Sequence, residues 1–187
     1  MSRKYKFLDE GEKYFVTYTL INWIDLFIRN EYKQIMLDSW KYCIDNKGME
    51  LHGWVIMTSH IHMIIGSHGE FLSRIMQEMK QHTSKKLKEA IMSHRGESRK
   101  EWMLEMMKKA GIRKSNCNEF QLWQHESHPI ELPTLQIAHQ KLNYIHDNPV
   151  RAGFVAKPEE YLYSSARDYN GGKGLIEICQ LHPWIDE

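Results

Sequence analysis

The sequence has few cysteines, no long apolar run and almost no net charge, and each absence excludes a class of protein. Its three cysteines (Cys43, Cys117, Cys179) are odd in number and widely scattered, which predicts thiols in a reducing compartment, not a disulfide framework. No apolar run approaches the roughly 18 residues that cross a membrane. The charged, aromatic N-terminus lacks the apolar core of a signal peptide. These absences predict a cytoplasmic chain with no membrane partner.

The near-neutral net charge of +1 hides an uneven distribution of charged residues. Between Phe71 and Lys114 the sequence has twelve lysines and arginines but only five glutamates. Such a basic stretch can present one positively charged face to the phosphate backbone of a nucleic acid. The alternative is that these residues are only the solvated surface of helices. Charge alone favours the solvated surface.

Hydrophobic patterning predicts an α+β fold in a single domain that covers residues 1–187. The predicted strands occupy residues 14–20, 50–57, 60–66 and 119–124, and the predicted helices follow Asn30, span residues 71–92 and run from residue 133 to about 147. Four strands in this order match a ferredoxin-like split βαβ antiparallel sheet, with an additional C-terminal helix that can cover its second face. Residues 93–118 are expected to be a helical insertion, and residues 150–187 a C-terminal extension.

Two histidines two positions apart lie on the third predicted strand, in the segment SHIHMII. Side chains at i and i+2 of a strand point the same way, about 7 Å apart at Cα, so His60 and His62 can converge on one ion. Ile61, Met63 and Ile65 then point to the other face and form core. A lone strand histidine is usually structural, but burying two unpaired imidazoles is costly, so the pair predicts a metal site about as readily as a structural role.

The last predicted helix carries a tyrosine on the side away from its apolar stripe. Tyr144 lies about 200° around the helix from Leu142, and Asn148 follows one turn later on the same side. A phenol and an amide placed in this way can face a phosphate and a metal together. Because Asn148 precedes Pro149, which is expected to stop the helix, Asp147 or His146 are alternative ligands. Without further context, Tyr144 is an ordinary amphipathic tyrosine.

Five segments provide that context: SHIHMII, QHTSKKL, LWQHESHPIEL, YIHDNPVRAGFV and YLYSSARDY. In this order they resemble the REP-associated tyrosine transposases, members of the HUH single-tyrosine transposases, over nearly the whole chain. The resemblance implies that His60 and His62 are metal ligands, Asn148 the third ligand and Tyr144 the nucleophile. It implies a divalent metal ion, Mn²⁺ or Mg²⁺, and cleavage and rejoining of single-stranded DNA with hairpin or palindromic elements through a 5′-phosphotyrosine. Because this family and its relatives include both monomers and homodimers, the resemblance leaves the oligomeric state open between the two.

Further DNA contacts are predicted from charge and aromaticity. Lys80, Lys85, Lys86 and Lys88 on the long helix, with Arg151 beyond the tyrosine helix, are candidate phosphate contacts. Trp123, His125 and His128 can stack or pair with unpaired bases, although packing in the core is the more ordinary role for Trp123. Two other functions remain open: a non-catalytic protein that grips DNA or RNA hairpins, and a metal hydrolase that activates water.

Overall fold

A four-stranded antiparallel sheet forms the centre of the computed structural model, which describes residues 11–112, 120–124 and 129–182. The sheet order is β2-β3-β1-β4. The chain order of strands and helices is β1 (Tyr14–Thr19), α1 (Asn30–Lys47), β2 (Met49–Ile56), β3 (His60–Ser67), α2 (Leu72–Ser93), α3 (Lys100–Ile112), β4 (Ile130–Glu131), α4 (Leu135–Arg151) and α5 (Ala166–Tyr169). This is the predicted ferredoxin-like α+β fold with an additional helix, so the fold class is confirmed. No described helix is both long and apolar enough to span a membrane.

The sheet has two covered faces, as the strand alternation predicts. On the core face, Tyr18, Ile61 and Met63 are buried in one large cluster with the apolar sides of α1, α2 and α3. On the opposite face, called the histidine face here, Phe15 and Ile64 join a smaller cluster with side chains of α4 (Ala138, Leu142, Ile145). The additional helix therefore packs on the second face of the sheet, and each face has a buried apolar cluster.

A glycine marks the place where α4 crosses β2. A Cβ atom on Gly53 would lie 2.5 Å from Cδ1 of Leu142, too close for ordinary packing. The β2–β3 pairing shifts register between Leu51 and Gly53, so the strand is irregular at the same point. This close approach places α4 next to β2 and its neighbour β3, the strand that carries the two histidines.

Two predicted boundaries are wrong. The fourth strand is Ile130–Glu131, not residues 119–124. Within the described residues 120–124, Trp123 forms one isolated bridge with Leu20, and its indole packs against Tyr18 and Phe27 and donates to Oγ1 of Thr83 at 3.2 Å. The alternating aromatic pattern there reflects burial of one side of the segment, not pairing with a neighbouring strand. Of the two roles considered for Trp123, it has that of a core residue.

Pro149 does not end α4, which continues to Arg151. Proline removes one donor, but residues beyond it still donate normally: the N–H of Ala152 bonds to the carbonyl of Asn148 at 3.0 Å. The helix ends where Gly153 adopts a left-handed conformation with φ of 74°. Asn148 therefore keeps its helical position one turn from Tyr144.

The C-terminal extension covers the outer edge of β2. The N–H of Ile56 donates to the carbonyl of Tyr163 at 2.9 Å, and the N–H of Ser165 donates to the carbonyl of Trp54 at 3.0 Å. Further along the strand, the N–H of Cys179 donates to the carbonyl of Leu51 at 2.9 Å. A second copy of the chain cannot extend the sheet through these positions.

A buried carboxylate joins the start of α1 to the connection between α2 and α3. The side chain of Glu97 is fully buried and accepts from Nε of Arg29 at 2.7 Å and from Nε of Arg99 at 3.0 Å. The hydrogen bonds from Arg99, followed by those from Arg29, lower its pKa to about 2 against the opposing effect of burial. Arg99, one of the basic residues of the charged middle stretch, thus has a structural partner.

Glu97→Gln should lower the free energy of unfolding at pH 7 by about 3 kcal/mol, because it leaves two partly buried guanidinium groups without an anion. Folding depresses the pKa of Glu97, so its contribution to the free energy of unfolding is fully present above pH 4.5 and is lost as the pH falls toward 2. Urea unfolding at pH 7 and pH 3 measures both effects, and the difference between wild type and variant should narrow at pH 3. Glu101→Gln, at an exposed position of α3, is the control. A loss below 1 kcal/mol for Glu97→Gln would contradict the assignment.

Candidate functional site

His60 and His62 lie side by side on the histidine face of β3. Their ring centroids are 4.9 Å apart, and His62 is only 5% exposed. The register places Thr17 of β1 directly opposite His62, and the hydroxyl of Thr17 is 2.8 Å from Nδ1 of His62. The ring of Phe15 stacks on that of His62, with centroids 5.3 Å apart. The orientation of His62 is therefore held by one hydrogen bond and one stacked ring.

Burial favours the neutral form of both imidazoles. Burial, followed by the nearby His60 and Lys141, lowers the pKa of His62 to about 3. Burial also lowers the pKa of His60, and a hydrogen bond with the side chain of Asn148 opposes part of that shift. A neutral imidazole has one nitrogen lone pair to offer, so the two rings have the protonation state that metal ligation requires.

Tyr144 comes to the histidines from α4. Leu142 and Ile145 are buried against the sheet. Their burial fixes the rotation of α4, so that the side chain of Tyr144 lies beside Phe15 of β1 and His62 of β3. Its ring lies 5.2 Å from that of His62 and 6.0 Å from that of Phe15, both edge-on. The side chain nevertheless remains 39% exposed. A phenol on a rigid helix is thus open to solvent and adjacent to the imidazole of His62.

Asn148 completes the group of side chains predicted from the sequence. Its Nδ2 donates to the carbonyl of Tyr144 at 2.9 Å, which leaves the side-chain oxygen to face His60. The alternative ligand His146 is turned the other way: its Nε2 is 2.9 Å from Oγ of Ser165, and its ring packs on Tyr169. Asp147 lines a separate groove with Pro158. Of these three side chains, Asn148 is the one that contacts His60.

The donor set fits a divalent metal ion. It contains two neutral imidazoles and one amide oxygen, and in the described part of the chain no third His, Cys, Asp or Glu joins them. If Nδ1–H of His62 donates to Thr17, Nε2 carries the lone pair, an arrangement typical of histidine ligands and their supporting partners. Mixed nitrogen and oxygen donors suit Mn²⁺ and neighbouring transition metals better than Mg²⁺.

Two cations flank the tyrosine, and only one of them was predicted. The Lys141 ammonium is 5.0 Å from the centroid of Phe15 and 5.9 Å from that of Tyr144. The Arg151 guanidinium carbon is 6.0 Å from the Tyr144 centroid. Lys141 stands three residues before Tyr144, so the helical repeat that placed Asn148 beside the tyrosine would have placed Lys141 there also.

The predicted phosphate contacts on α2 are not brought to this site, because α2 packs on the core face of the sheet. The Lys80 ammonium lies 4.5 Å from the ring centroid of Tyr18, and burial lowers its pKa to about 8. Lys88 lies over the ring of Phe120 at 4.7 Å, and Lys86 is 3.5 Å from Glu89. Lys85 is exposed. The structure therefore separates these lysines from Tyr144 by the thickness of the sheet.

Trp23 is a neighbour of the site that the sequence did not indicate. Its indole lies 5.6 Å from the ring of His60 and is 60% exposed. It belongs to the irregular connection between β1 and α1, where neither strand nor helix periodicity assigns a direction to a side chain. His125 and His128, predicted to contact bases, lie outside the described residues.

Comparisons with known proteins agree with the resemblance seen in the sequence. Residues 21–106 match the family model described as transposase IS200 like, a range that includes both histidines and ends before Tyr144. A REP-associated tyrosine transposase bound to a REP hairpin has a similar fold, with a TM-score of 0.62 and 17% identity over 100% of both chains. A candidate transposase from Deinococcus radiodurans R1 is 12% identical over 78% of this chain and 97% of its own, with a TM-score of 0.42. The comparison with curated proteins found no match. The resemblance to the tyrosine transposases is confirmed.

Proposed function

We propose that this chain, which resembles the IS200-like transposases and has the fold of a REP-associated tyrosine transposase, cleaves and rejoins single-stranded DNA at hairpin-containing sites. The observation that carries the proposal is the position of Tyr144. Its ring is 39% exposed and lies 5.2 Å from His62, on a helix that packs against the sheet. An accessible phenol held next to the neutral imidazole of His62, the neighbour of His60, is suited to attack a phosphate.

In the proposed cleavage step, the phenolic oxygen of Tyr144 attacks the phosphorus in line with the bond to the 3′ oxygen. The phenolic proton passes to solvent while the oxygen–phosphorus bond forms. The bond from phosphorus to the 3′ oxygen breaks, its electron pair stays on that oxygen, and the oxygen takes up a proton. The products are a 5′-phosphotyrosine and a free 3′-hydroxyl. Because the phosphodiester is exchanged for another, the strand can be rejoined elsewhere without ATP.

His60, His62 and Asn148 are the residues that would hold a divalent ion, and we propose Mn²⁺ or Mg²⁺. Such an ion polarises the scissile phosphate and stabilises negative charge on its oxygens when bound. The protein's own contribution is to keep both imidazoles neutral by burial and to fix His62 through Thr17. Asn148 is fixed in turn by its hydrogen bond to the backbone of Tyr144, so ligand and nucleophile share one turn of α4.

Phosphate contacts are proposed in two groups. Lys141 and Arg151 lie beside Tyr144 and are proposed to bind phosphates next to the scissile bond. The lysines of α2 (Lys80, Lys85, Lys86, Lys88) are proposed to contact more distant parts of the hairpin, since they lie on the other side of the sheet. One copy of the chain is proposed to bind one hairpin, because the extension already occupies the edge of β2.

The test is to incubate the protein with a labelled hairpin-containing single strand and Mn²⁺ and to separate the products on a denaturing protein gel. A covalent protein–DNA band is expected, and a chelator should abolish it. Failure of hairpins with single-stranded flanks of varied sequence to form an adduct, combined with tight binding that survives chelation, would instead support a non-catalytic hairpin-binding protein. Cleavage without a covalent band would support a hydrolase.

Lys141→Gln should weaken binding of the hairpin-containing strand and reduce its dependence on salt. Loss of one phosphate contact reduces the slope of log K against log salt by about 0.7 to 0.9. Because Lys141 lies beside Tyr144, the rate of adduct formation at saturating DNA should fall as well. Lys85→Gln, at an exposed position of α2, should change affinity and leave the adduct rate unchanged. Affinity titrations at several salt concentrations, together with rates of adduct formation, measure both variants. Equal effects of the two variants on the adduct rate would contradict the division of the phosphate contacts into a group beside Tyr144 and a group on α2.

A further inference from the structure

Trp23 is held in an unfavourable backbone conformation beside the site. Asn22 and Trp23 both have positive φ angles, 52° and 54°, and among the described non-glycine residues they are the two that do. The left-handed region is common for asparagine but costs a bulky side chain such as tryptophan of order 1 kcal/mol or more. Such a conformation of Trp23 persists only where the surrounding structure imposes it.

The surroundings do impose it. Leu20, Ile21 and Ile24 are almost fully buried on either side of the pair. The N–H of Ile21 donates to the carbonyl of Leu122 at 2.9 Å, and the N–H of Trp23 donates to the carbonyl of Leu20 at 3.1 Å. The backbone is thus anchored in the core, while the indole it presents is 60% exposed. The fold gains little from burying this ring, so its position calls for a role outside the core.

We propose that the Trp23 indole is the platform on which an unpaired base of the DNA stacks, namely the base immediately 5′ of the scissile phosphate. The proposal rests on the proposed function and adds the subsite that holds the substrate strand. Every base has a flat π face, so an exposed indole binds single-stranded DNA without needing a matching hydrogen-bond pattern.

The side of the cut follows from the order of the rings. Contacts run from Tyr144 to His62 (5.2 Å), from His62 to His60 (4.9 Å) and from His60 to Trp23 (5.6 Å), so nucleophile and indole lie at opposite ends of the histidine pair. In an in-line displacement, the leaving oxygen departs on the side opposite the nucleophile. Here the leaving oxygen is the 3′ oxygen, which belongs to the nucleotide 5′ of the cut. Its base is the one carried toward Trp23.

The test uses 2-aminopurine, a fluorescent base whose emission changes on stacking, placed singly on either side of the bond that the wild-type protein cuts. Binding is measured with the full chain carrying Tyr144→Phe, so that no cleavage occurs. Trp23→Gly removes the indole and also suits the positive φ, so the variant should fold. Trp23→Phe retains a ring, and Trp102→Ala, at a half-exposed tryptophan of α3, is the matched control.

The signal is expected at the 5′ position, lost in Trp23→Gly, partly kept in Trp23→Phe and unchanged in Trp102→Ala. Affinity should fall about 5- to 150-fold in Trp23→Gly, the range for one stacked base. A signal confined to the 3′ position, or one equal in Trp23→Gly and its parent, overturns the proposal. If wild type forms the adduct but Trp23→Gly changes nothing, only this inference fails. If no strand forms an adduct, the proposed function fails, and the assignment of Trp23 to a cleaved bond fails with it.

Discussion

Tyr144→Phe is expected to lower covalent protein–DNA product by at least about 10⁴-fold, below detection on a denaturing gel, while binding of the same strand is retained. The variant lacks the one oxygen that can form the bond to phosphorus. It keeps the ring, and with it the edge-on contacts with His62 and Phe15. Since the side chain is 39% exposed, removal of its hydroxyl should not change the stability of α4. Adduct assays and affinity titrations in parallel separate chemistry from binding.

The matched control for this experiment is Tyr42→Phe, which removes a hydroxyl from a tyrosine of α1 that is 58% exposed. Adduct formation by Tyr42→Phe should equal that of wild type. Tyr161→Phe is a second control, because its hydroxyl is already committed to the carbonyl of Ile56 at 2.9 Å. Persistence of the adduct in Tyr144→Phe, together with its loss in another tyrosine variant, would show that the nucleophile has been assigned to the wrong residue.

Strand alternation was enough to predict much of the site. A side chain's face on a strand depends only on parity, so His60 and His62 had to share a face and Ile61 and Met63 had to lie in the core, as they do. The helical repeat likewise placed Tyr144 and Asn148 on one side of α4. These features depend on short-range periodicity, which the sequence displays directly.

Features that depend on long-range contacts were not predictable in this way. The segment around Trp123 has the alternation of a strand, but its neighbours Phe27 and Thr83 are far away in sequence and fix it as core packing. Pro149 is tolerated because α4 is packed on the sheet. Trp23 lies in an irregular connection, where its direction is set by left-handed backbone angles that no periodicity announces. Charge runs such as that of α2 carry no information about which face of the sheet they occupy.

His62→Gln should reduce Mn²⁺-dependent adduct formation by at least about 10³-fold, because the several kcal/mol that a bound ion contributes would be lost with one of its ligands. Glutamine is close in size to histidine, so the stacking position against Phe15 stays filled. Hairpin binding measured in a chelator should be unchanged, since no phosphate contact is assigned to this buried side chain. His82→Gln, at an exposed histidine of α2, controls for the general effect of losing an imidazole.

Thr17→Val tests whether His62 acts as a metal ligand whose orientation depends on its hydrogen bond with Thr17. Valine has the shape of threonine but no hydroxyl, so His62 loses the hydrogen bond of 2.8 Å at Nδ1 that orients it. Loss of such a supporting partner typically costs 10- to 100-fold in metal affinity. The Mn²⁺ concentration at half-maximal adduct formation should therefore rise by about that factor, with the maximal rate recovered at high Mn²⁺. In His62→Gln, the rate of adduct formation should not recover even at Mn²⁺ concentrations that saturate the wild-type protein. An identical Mn²⁺ dependence for Thr17→Val and wild type would contradict the assignment of Thr17 as the residue that orients His62 toward a metal ion.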